Sequence, residues 1–374
     1  MKEALVVGGG PAGASLAALL AGAGREVVLV EREAGPADKV CGEFLSREAA
    51  LYLAALGLDL RSLGAVPIEA VRLVVGGGVA TAELPFAALS LSRRVLDEAL
   101  LERAAKLGAS VERGAAVQGL ARSAGGFTAR LTGGATLTAS EVFLATGKHD
   151  LRGWKRPPGV QNDLVAFKLH WRLSQAQASA LAGHVELVLF PGGYAGLQPV
   201  EGGRANLCLL VRRRRLSAAG GWAELLAAIR AGSPHLEARL SGATPCAARP
   251  LSLSGIPYGY VRRRADGAWR LGDQAAVIPS FSGDGMSIAL HSGRLAAARY
   301  LGGQEAEDYQ RALARDVAGQ VVRATALSLG LVRRPVQLGL GAAARLMPDL
   351  IAAVASLTRV PDAALARAGL TEAG

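Results

Sequence analysis

Hydrophobic positions along this chain fall into short blocks separated by glycine-rich turns. An apolar run, Ala4–Val7, enters Gly8-Gly9-Gly10-Pro11-Ala12-Gly13; an alanine-rich stretch and a second apolar run, Val27–Val30, follow and end on Glu31. This order predicts strand, turn, helix, strand. A helix is expected from about Ser46 to Leu56, and residues 68–84 alternate as a hairpin turning at Gly76-Gly77-Gly78. Leu91–Leu107 is amphipathic, with Leu96, Leu100, Ala104 and Leu107 on one helical face. Short strands are expected near Ser110–Leu120, Gly126–Leu131 and Thr136–Leu144, the last ending on Ala145-Thr146-Gly147. Residues 151–261 then change character. Strand-like runs recur at Leu164–Trp171, His184–Phe190, Ala205–Val211 and Ala247–Leu253, with one helix near Trp222–Ala231. A mainly antiparallel second domain is the expectation. The chain returns through Trp269–Leu271 to Gly272-Asp273, a helix from about Gly283 to Tyr300, and further helix to the C-terminus.

The opening unit carries chemistry as well as shape. Gly8 permits a tight turn, Gly10 a close approach of backbone to a pyrophosphate, and Gly13 a close packing of helix on sheet. Pro11 and Ala12 open the helix, whose free N–H groups and positive dipole end face the phosphates. Glu31 stands about 20 residues beyond the glycines, where a carboxylate accepts hydrogen bonds from ribose hydroxyls. Strand, helix, second strand and acid in register point to a dinucleotide.

Composition narrows the partner. The formal charge is +11 and hydrophobic residues make up 51% of the chain. The Arg212–Arg215 and Arg262–Arg264 clusters adjoin strands and lack interleaved aromatics, so nucleic acid is not an expected partner. The positive balance suits anionic ligands such as FAD, a nicotinamide phosphate or an anionic membrane surface. Three widely spaced cysteines, Cys41, Cys208 and Cys246, form no metal-binding pattern, and no metal is expected. The five histidines show no ligand spacing, and each reads as structural. The first strand begins almost at once, leaving no room for a presequence, so a reducing cytoplasm is the expected location. Residues 324–358 are apolar but interrupted by Arg333, Arg334, Arg345 and Asp349. They cap the second domain or lie against a bilayer rather than cross it.

The segment 271–293, LGDQAAVIPSFSGDGMSIALHSG, selects among dinucleotides. A carboxylate after a strand, then a Pro/Gly loop and a helix N-terminus, can hold a polyol and face an electron-rich ring. It resembles the Gly-Asp motif of FAD-dependent oxidoreductases in the geranylgeranyl-reductase and aromatic-ring-hydroxylase superfamily of flavoproteins. That resemblance implies that Asp273 holds the ribitol and that Pro279, Gly283, Gly285 and Met286 lie along the isoalloxazine. Lys39-Val40-Cys41-Gly42 resembles the Cys-Gly segment that geranylgeranyl reductases place beside the flavin. Arg93 matches an arginine reaching the diphosphate, and Arg32, Val117 and Gly147 complete the implied cofactor set. Phe190-Pro191 and Tyr194 resemble a strand turn lining the substrate cavity, to which Phe281 is added.

The implied fold is α/β: a Rossmann-like FAD-binding domain of the glutathione-reductase type, an inserted mainly antiparallel β-sheet substrate domain, and a helical C-terminal region. The expected divisions are 1–67, 92–150 and 262–310 for FAD, 68–91 and 151–261 for substrate, and 311–374 for the helices. Two departures matter. Ala145-Thr146-Gly147 stands where many flavin hydroxylases carry Ala-Asp-Gly, and the Trp-x-Trp-x-Ile-Pro of typical flavin halogenases is missing. The expected function is an NAD(P)H-dependent flavoprotein monooxygenase acting on a hydrophobic small molecule of polyketide, quinone or isoprenoid type. The alternatives are a reductase of isoprenoid double bonds and a membrane-surface flavoprotein that relays electrons or modifies a partner protein. No second glycine-rich unit exists for NAD(P)H, which would bind transiently. No side chain is singled out as catalytic, and the oligomeric state is left open.

Overall fold

A computed structural model of the chain describes residues 1–123 and 125–370. The helical region expected over 311–374 therefore includes four residues, 371–374, outside the described ones. Two sheets organise the molecule. The first has the order Ser110–Arg113, Val27–Glu31, Lys2–Val7, Thr136–Leu144, Gly126–Leu131, Val117–Ser123, with Trp269–Arg270 also paired to Thr136–Leu144. Its first four strands run parallel, and Val7 pairs with both Val30 and Leu144. Their buried positions are nearly continuous apolar runs because helices cover one face. The helices Pro11–Gly22, Arg93–Lys106 and Gly285–Leu301 supply that cover. At Gly293 a Cβ would lie 2.7 Å from the Ala12 carbonyl oxygen, so two of these helices touch backbone to backbone.

The second sheet has the order Thr244–Pro245, Leu164–Arg172, Arg204–Arg212, Gly193–Val200, Gly183–Phe190, Val66–Val75, Gly78–Ser90, Phe44–Leu45. Leu251–Ser254 also pairs with Leu164–Arg172. All its pairings are antiparallel except that between Gly183–Phe190 and Val66–Val75. The boundary expected at 67/68 thus falls inside one of its strands, and Phe44–Leu45 joins the same sheet. One face carries Val165, Phe167, Leu169 and Trp171 into a core with the helices Trp222–Ala231 and Pro234–Leu240. The opposite face turns Leu164, Ala166, Lys168 and His170 towards the first domain, as the two-residue period of a strand requires.

Several elements differ from the expectation. Gly193–Val200 is a strand rather than a continuation of the turn, and the helices Gln175–Leu181, Arg213–Ala219 and Pro234–Leu240 were not foreseen. Each of these three helices has seven residues, too short to show a helical repeat. The strand expected over Ala247–Leu253 is displaced to Leu251–Ser254. Beyond Leu301 the chain forms the helices Ala306–Leu331, Arg334–Leu346, Asp349–Leu357 and Asp362–Arg367. Among the described residues no single helix is long and apolar enough to cross a membrane.

Candidate active site

The glycine turn forms a cradle whose shape excludes side chains. Gly8 adopts φ +107°, and a Cβ there would lie 2.5 Å from the Ala145 carbonyl oxygen. At Gly13 a Cβ would lie 2.0 Å from the Gly8 carbonyl oxygen, so this glycine sets how closely the helix approaches the turn. Gly10 is the N-cap of that helix, and no side chain caps it. The first-turn N–H groups therefore point outward without helical partners, and Pro11 has none to offer. A Cβ on Gly10 would sit 3.1 Å from Arg93 Nη2, in the space between cradle and guanidinium. Arg93 is held there by two bonds of 2.7 Å to Asp97. Burial alone would make it easier to deprotonate, but Asp97 outweighs burial and pushes the Arg93 pKa further up. Glu31 is buried at the end of its strand, its Oε2 accepting from Gly9 N–H at 2.7 Å and its Oε1 from Glu33 N–H at 3.1 Å.

Two cavities meet at this cradle. One, of about 440 Å³, is lined by Gly8, Glu31, Arg32, Val117, Thr146 and His149. Burial, followed by Arg32, Lys148 and Lys39, lowers the His149 pKa, a sign of the positive potential that fills this cleft. The other, of about 250 Å³, lies against Cys41, Phe44, Gly283, Gly285 and Met286. Gly10, Arg93, Ala145, Gly147, Lys148 and Asp273 border both. Asp273 follows Trp269–Arg270 in a short helical turn and has Lys148 Nζ 3.6 Å away. Gln274 ties this turn to the Gly147 and His149 carbonyls at 2.8 and 3.0 Å. A cradle free of side chains, a carboxylate in each cavity and cations along the junction fit the phosphates and polyols of FAD.

In the loop after Ile278, Pro279 opens the helical turn Ser280–Ser282 from outside the cavity lining, whereas Gly283, Gly285 and Met286 line it. Gly283 adopts φ +70°, with the Phe44 ring 2.7 Å from where a Cβ would stand. Tyr194 and Phe281 both line this cavity and meet edge to face at 6.1 Å. The Tyr194 hydroxyl is buried without a well-formed hydrogen bond, and the neighbouring Ser328 hydroxyl donates instead to Gln161 at 2.6 Å. Two expected substrate contacts are corrected. Phe190 is one residue out of phase with the cavity wall: Leu187 faces the cavity, and Val188 and Phe190 point into the core on the other face. Pro191 is exposed in the turn that follows.

At and behind the cavity wall stand groups that the sequence did not single out. Glu43, two residues beyond Cys41, is fully buried at φ +65°, a backbone conformation that costs a side-chain-bearing residue energy. Its carboxylate accepts from Lys168, from His170 Nε2 at 2.8 Å and from Arg93 N–H at 2.9 Å. Burial would raise its pKa, but the His170 and Lys168 contacts outweigh burial and hold it below the usual range. Asp38 Oδ1 lies 3.8 Å from His170 and 3.9 Å from Lys168. Asp38, Glu43 and His170 approach one another closely enough to hold a metal, but the Lys168 ammonium already occupies a cation's place on Glu43. Asn206 donates to the Cys41 and Gly42 carbonyls at 3.1 and 2.9 Å, so second-sheet side chains hold the whole Cys-Gly-Glu loop. A signal was present: Lys168 and His170 are same-face polar positions in the otherwise apolar strand LVAFKLHWR. His170, read as structural, stands behind the cavity wall and holds Glu43, which lines it.

The second missed group is Asp284. It sits inside the glycine loop and is fully buried, and burial pushes its pKa up to about 7 despite Arg359 at 3.4 Å. Arg359 also donates to the Ser282 carbonyl and lies over the Phe86 and Phe44 rings at 5.2 and 6.0 Å. Far from Asp284 in sequence, it is legible only in the folded chain.

Comparison with known proteins agrees with this geometry. Residues 1–143 match the family model described as an FAD binding domain. The menaquinone reductase of Mycolicibacterium smegmatis is 30% identical over 329 residues, covering 79% of this chain and 75% of the relative. Digeranylgeranylglycerophospholipid reductase 2 of Methanopyrus kandleri is 28% identical over 307 residues, covering 79% and 75%. Among solved structures, a flavoprotein/dehydrogenase from Cytophaga hutchinsonii superposes with a TM-score of 0.79 at 18% identity, covering 95% of this chain and 92% of that one. The protein is an FAD-dependent oxidoreductase. Within that class, the chain belongs to the superfamily that includes menaquinone reductase, the geranylgeranyl reductases and the flavin-dependent hydroxylases.

Proposed function

We propose that this protein uses FAD to reduce a carbon–carbon double bond in an isoprenoid chain, carried by a quinone or a lipid. The observation that carries this reading is the form of the second cavity. From Cys41 and Gly283 it extends between the sheet positions Val71, Leu84 and Phe86 and the helix positions Ile351, Val354 and Ala355. A slot of largely apolar lining suits a long hydrocarbon whose reacting bond is presented at the Cys41–Gly283 end. The relatives named for menaquinone and for digeranylgeranyl lipid support the same substrate class. This reading places reduction ahead of the oxygenation expected from sequence.

The residues fit the cofactor as follows. Glu31 would take the adenosine ribose, the N-terminus of Pro11–Gly22 with Arg93 the diphosphate, Asp273 the ribitol, and Gly283–Met286 the ring. When bound and reduced by a nicotinamide or equivalent donor, FAD supplies hydride. The chain's own task is to exclude water, orient the alkene and deliver one proton. Burial pushes the Cys208 thiol up to about 12 and raises the Tyr194 phenol, so both hold their protons tightly. Cys41 is the half-buried protic group at the flavin end, and its Sγ accepts from Glu43 N–H at 3.3 Å. Proton delivery is assigned to it.

The test is anaerobic. Reduced protein is mixed with a polyprenyl quinone, and flavin reoxidation is followed together with product mass. Reoxidation without oxygen is expected, giving a product that stays heavier by two hydrogens after ferricyanide has returned any quinol to quinone, with the second-order rate lowered in Cys41→Ser. A product whose extra hydrogens are lost on that reoxidation places the reduction on the quinone ring and refutes double-bond reduction. A product heavier by one oxygen, formed only in air, refutes reduction and establishes the oxygenase.

A further inference from the structure

The helices Arg334–Leu346 and Asp349–Leu357 form an elbow that the cofactor site does not require. The chain turns through 117° at Met347-Pro348, between Arg334–Leu346 and the stretch Asp349–Arg367 that Asp349–Leu357 begins. Its first arm is fixed to the second sheet. Gln337, fully buried, donates to the Phe190 and Leu331 carbonyls at 2.7 Å, and a Cβ on Gly341 would lie 2.9 Å from Val75. Its second arm is different: DLIAAVASL is almost wholly apolar, yet none of its residues is buried. The inner side, Ile351, Val354 and Ala355, lines the substrate cavity. The outer side and the bend are open, with Leu346 83% exposed, Met347 56% and Leu350 42%. Just past this arm, Arg359 pins the chain to the glycine loop through Ser282 and Asp284.

A helix with apolar residues on both of its unburied sides gains nothing from water. An apolar phase at the crest would satisfy it. The surrounding charge identifies the phase. Arg333, Arg334 and Arg345 are exposed around the crest, and none makes an ion pair among the described residues; Asp349 is the only acid between Arg333 and Leu357. The hairpin tip beneath adds Val79, 40% exposed, with Arg334 and Arg345 reaching towards Gly76 and Gly78.

We propose that this elbow docks on an anionic lipid bilayer, seating Leu346, Met347 and Leu350 among the acyl chains while the arginines meet the headgroups. The arm Asp349–Leu357 then separates the bilayer from the cavity, pinned at the Arg359 end and hinged at Met347-Pro348. Its displacement opens the cavity to a substrate dissolved in lipid. Only this last step rests on the isoprenoid reading; docking stands on the exposed residues alone.

The experiment is flotation of FAD-loaded protein with phosphatidylcholine vesicles, with and without phosphatidylglycerol, read by flavin absorbance. The wild type is expected to float with the anionic vesicles and to be released by salt. Leu346→Glu with Met347→Glu, and separately Arg334→Glu with Arg345→Glu, are each expected to weaken the partition about tenfold or more. Both double variants keep their flavin spectrum and the melting temperature of the wild type, which shows that they fold. Equal flotation of wild type and variants, or none with anionic vesicles, overturns the proposal. So does a wild-type dimer that the crest variants split, which would make the elbow a contact between copies. Flotation as expected, with no isoprenoid reduced, leaves docking intact and removes only the substrate reading.

Discussion

Replacing Glu43 by Gln tests whether the buried charge cluster organises the site. The substitution keeps shape and burial but leaves the Lys168 ammonium, itself only 1% exposed in its side chain, without its principal counterion. Removing one partner of a buried pair costs about 3–5 kcal/mol, most of it the penalty of the stranded charge. For a chain of 374 residues melting as one unit, an unfolding entropy of about 2.1 cal/mol/K per residue is about 0.8 kcal/mol/K. The expected fall in Tm is then about 4–6 °C. Glu43→Gly separates charge from backbone strain. It relieves a φ of +65° that costs about 1–2 kcal/mol, yet it also strands Lys168, so it too is expected to be less stable than wild type. The decisive variant is Glu43→Gln combined with Lys168→Met, which removes both charges and is expected to recover at least about 2 kcal/mol relative to additivity. Urea unfolding of wild type, Glu43→Gln, Lys168→Met and the double variant, each scored for retained FAD, supplies the cycle. Additivity within about 0.5 kcal/mol, or a Glu43→Gln variant within about 1 kcal/mol of wild type, refutes the reasoning. The pH dependence has a definite sign. Because the folded Glu43 pKa is lowered, its contribution is present above the usual carboxylate pKa and disappears as pH falls through the lower folded value.

Two further outcomes follow from the cofactor loops. Gly13→Val places atoms where the Gly8 carbonyl already stands 2.0 Å from a Cβ, so a loss of about 3 kcal/mol or more and a colourless protein are expected by thermal melting and absorbance; a variant that retains FAD normally would contradict the packing assigned to this glycine. Asp284 has the opposite pH signature to Glu43. With a folded pKa raised by burial to about 7, its contribution is complete below the unfolded value and is lost as pH rises to about 7, a span of about 4 kcal/mol that Asp284→Asn should flatten in denaturant titrations; an unchanged pH slope would show that it does not titrate there.

The parts legible in sequence were those whose chemistry is local. Gly8, Gly10, Gly13 and Glu31 announce themselves because turn, helix start and acid lie within one supersecondary unit, and Asp273 because it follows a strand and precedes a glycine loop. The second sheet was legible where strands were long and apolar, as at Leu164–Arg172, and not where Gly193–Val200 is interrupted by glycine and proline. Phe190 failed for a geometric reason: a pattern can identify a strand, but a shift of one residue decides which face meets the cavity. Glu43 and Arg359 failed for a different one. Lys168 and His170 are distant from Glu43 in sequence, and Asp284 is distant from Arg359, so no local spacing relates them. What connects them is a shared surface between domains. There, a carboxylate held at a strained φ is stabilised by Lys168 and His170 from a distant strand and by the Arg93 N–H, and the glycine loop of one domain is pinned by an arginine from the C-terminal helices. The ring's binding loops are thus clamped by the two elements that also wall the substrate slot. Changes in that slot, above all displacement of Asp349–Leu357, must therefore be felt at Ser282 and Asp284, where the expected flavin ring meets the chain.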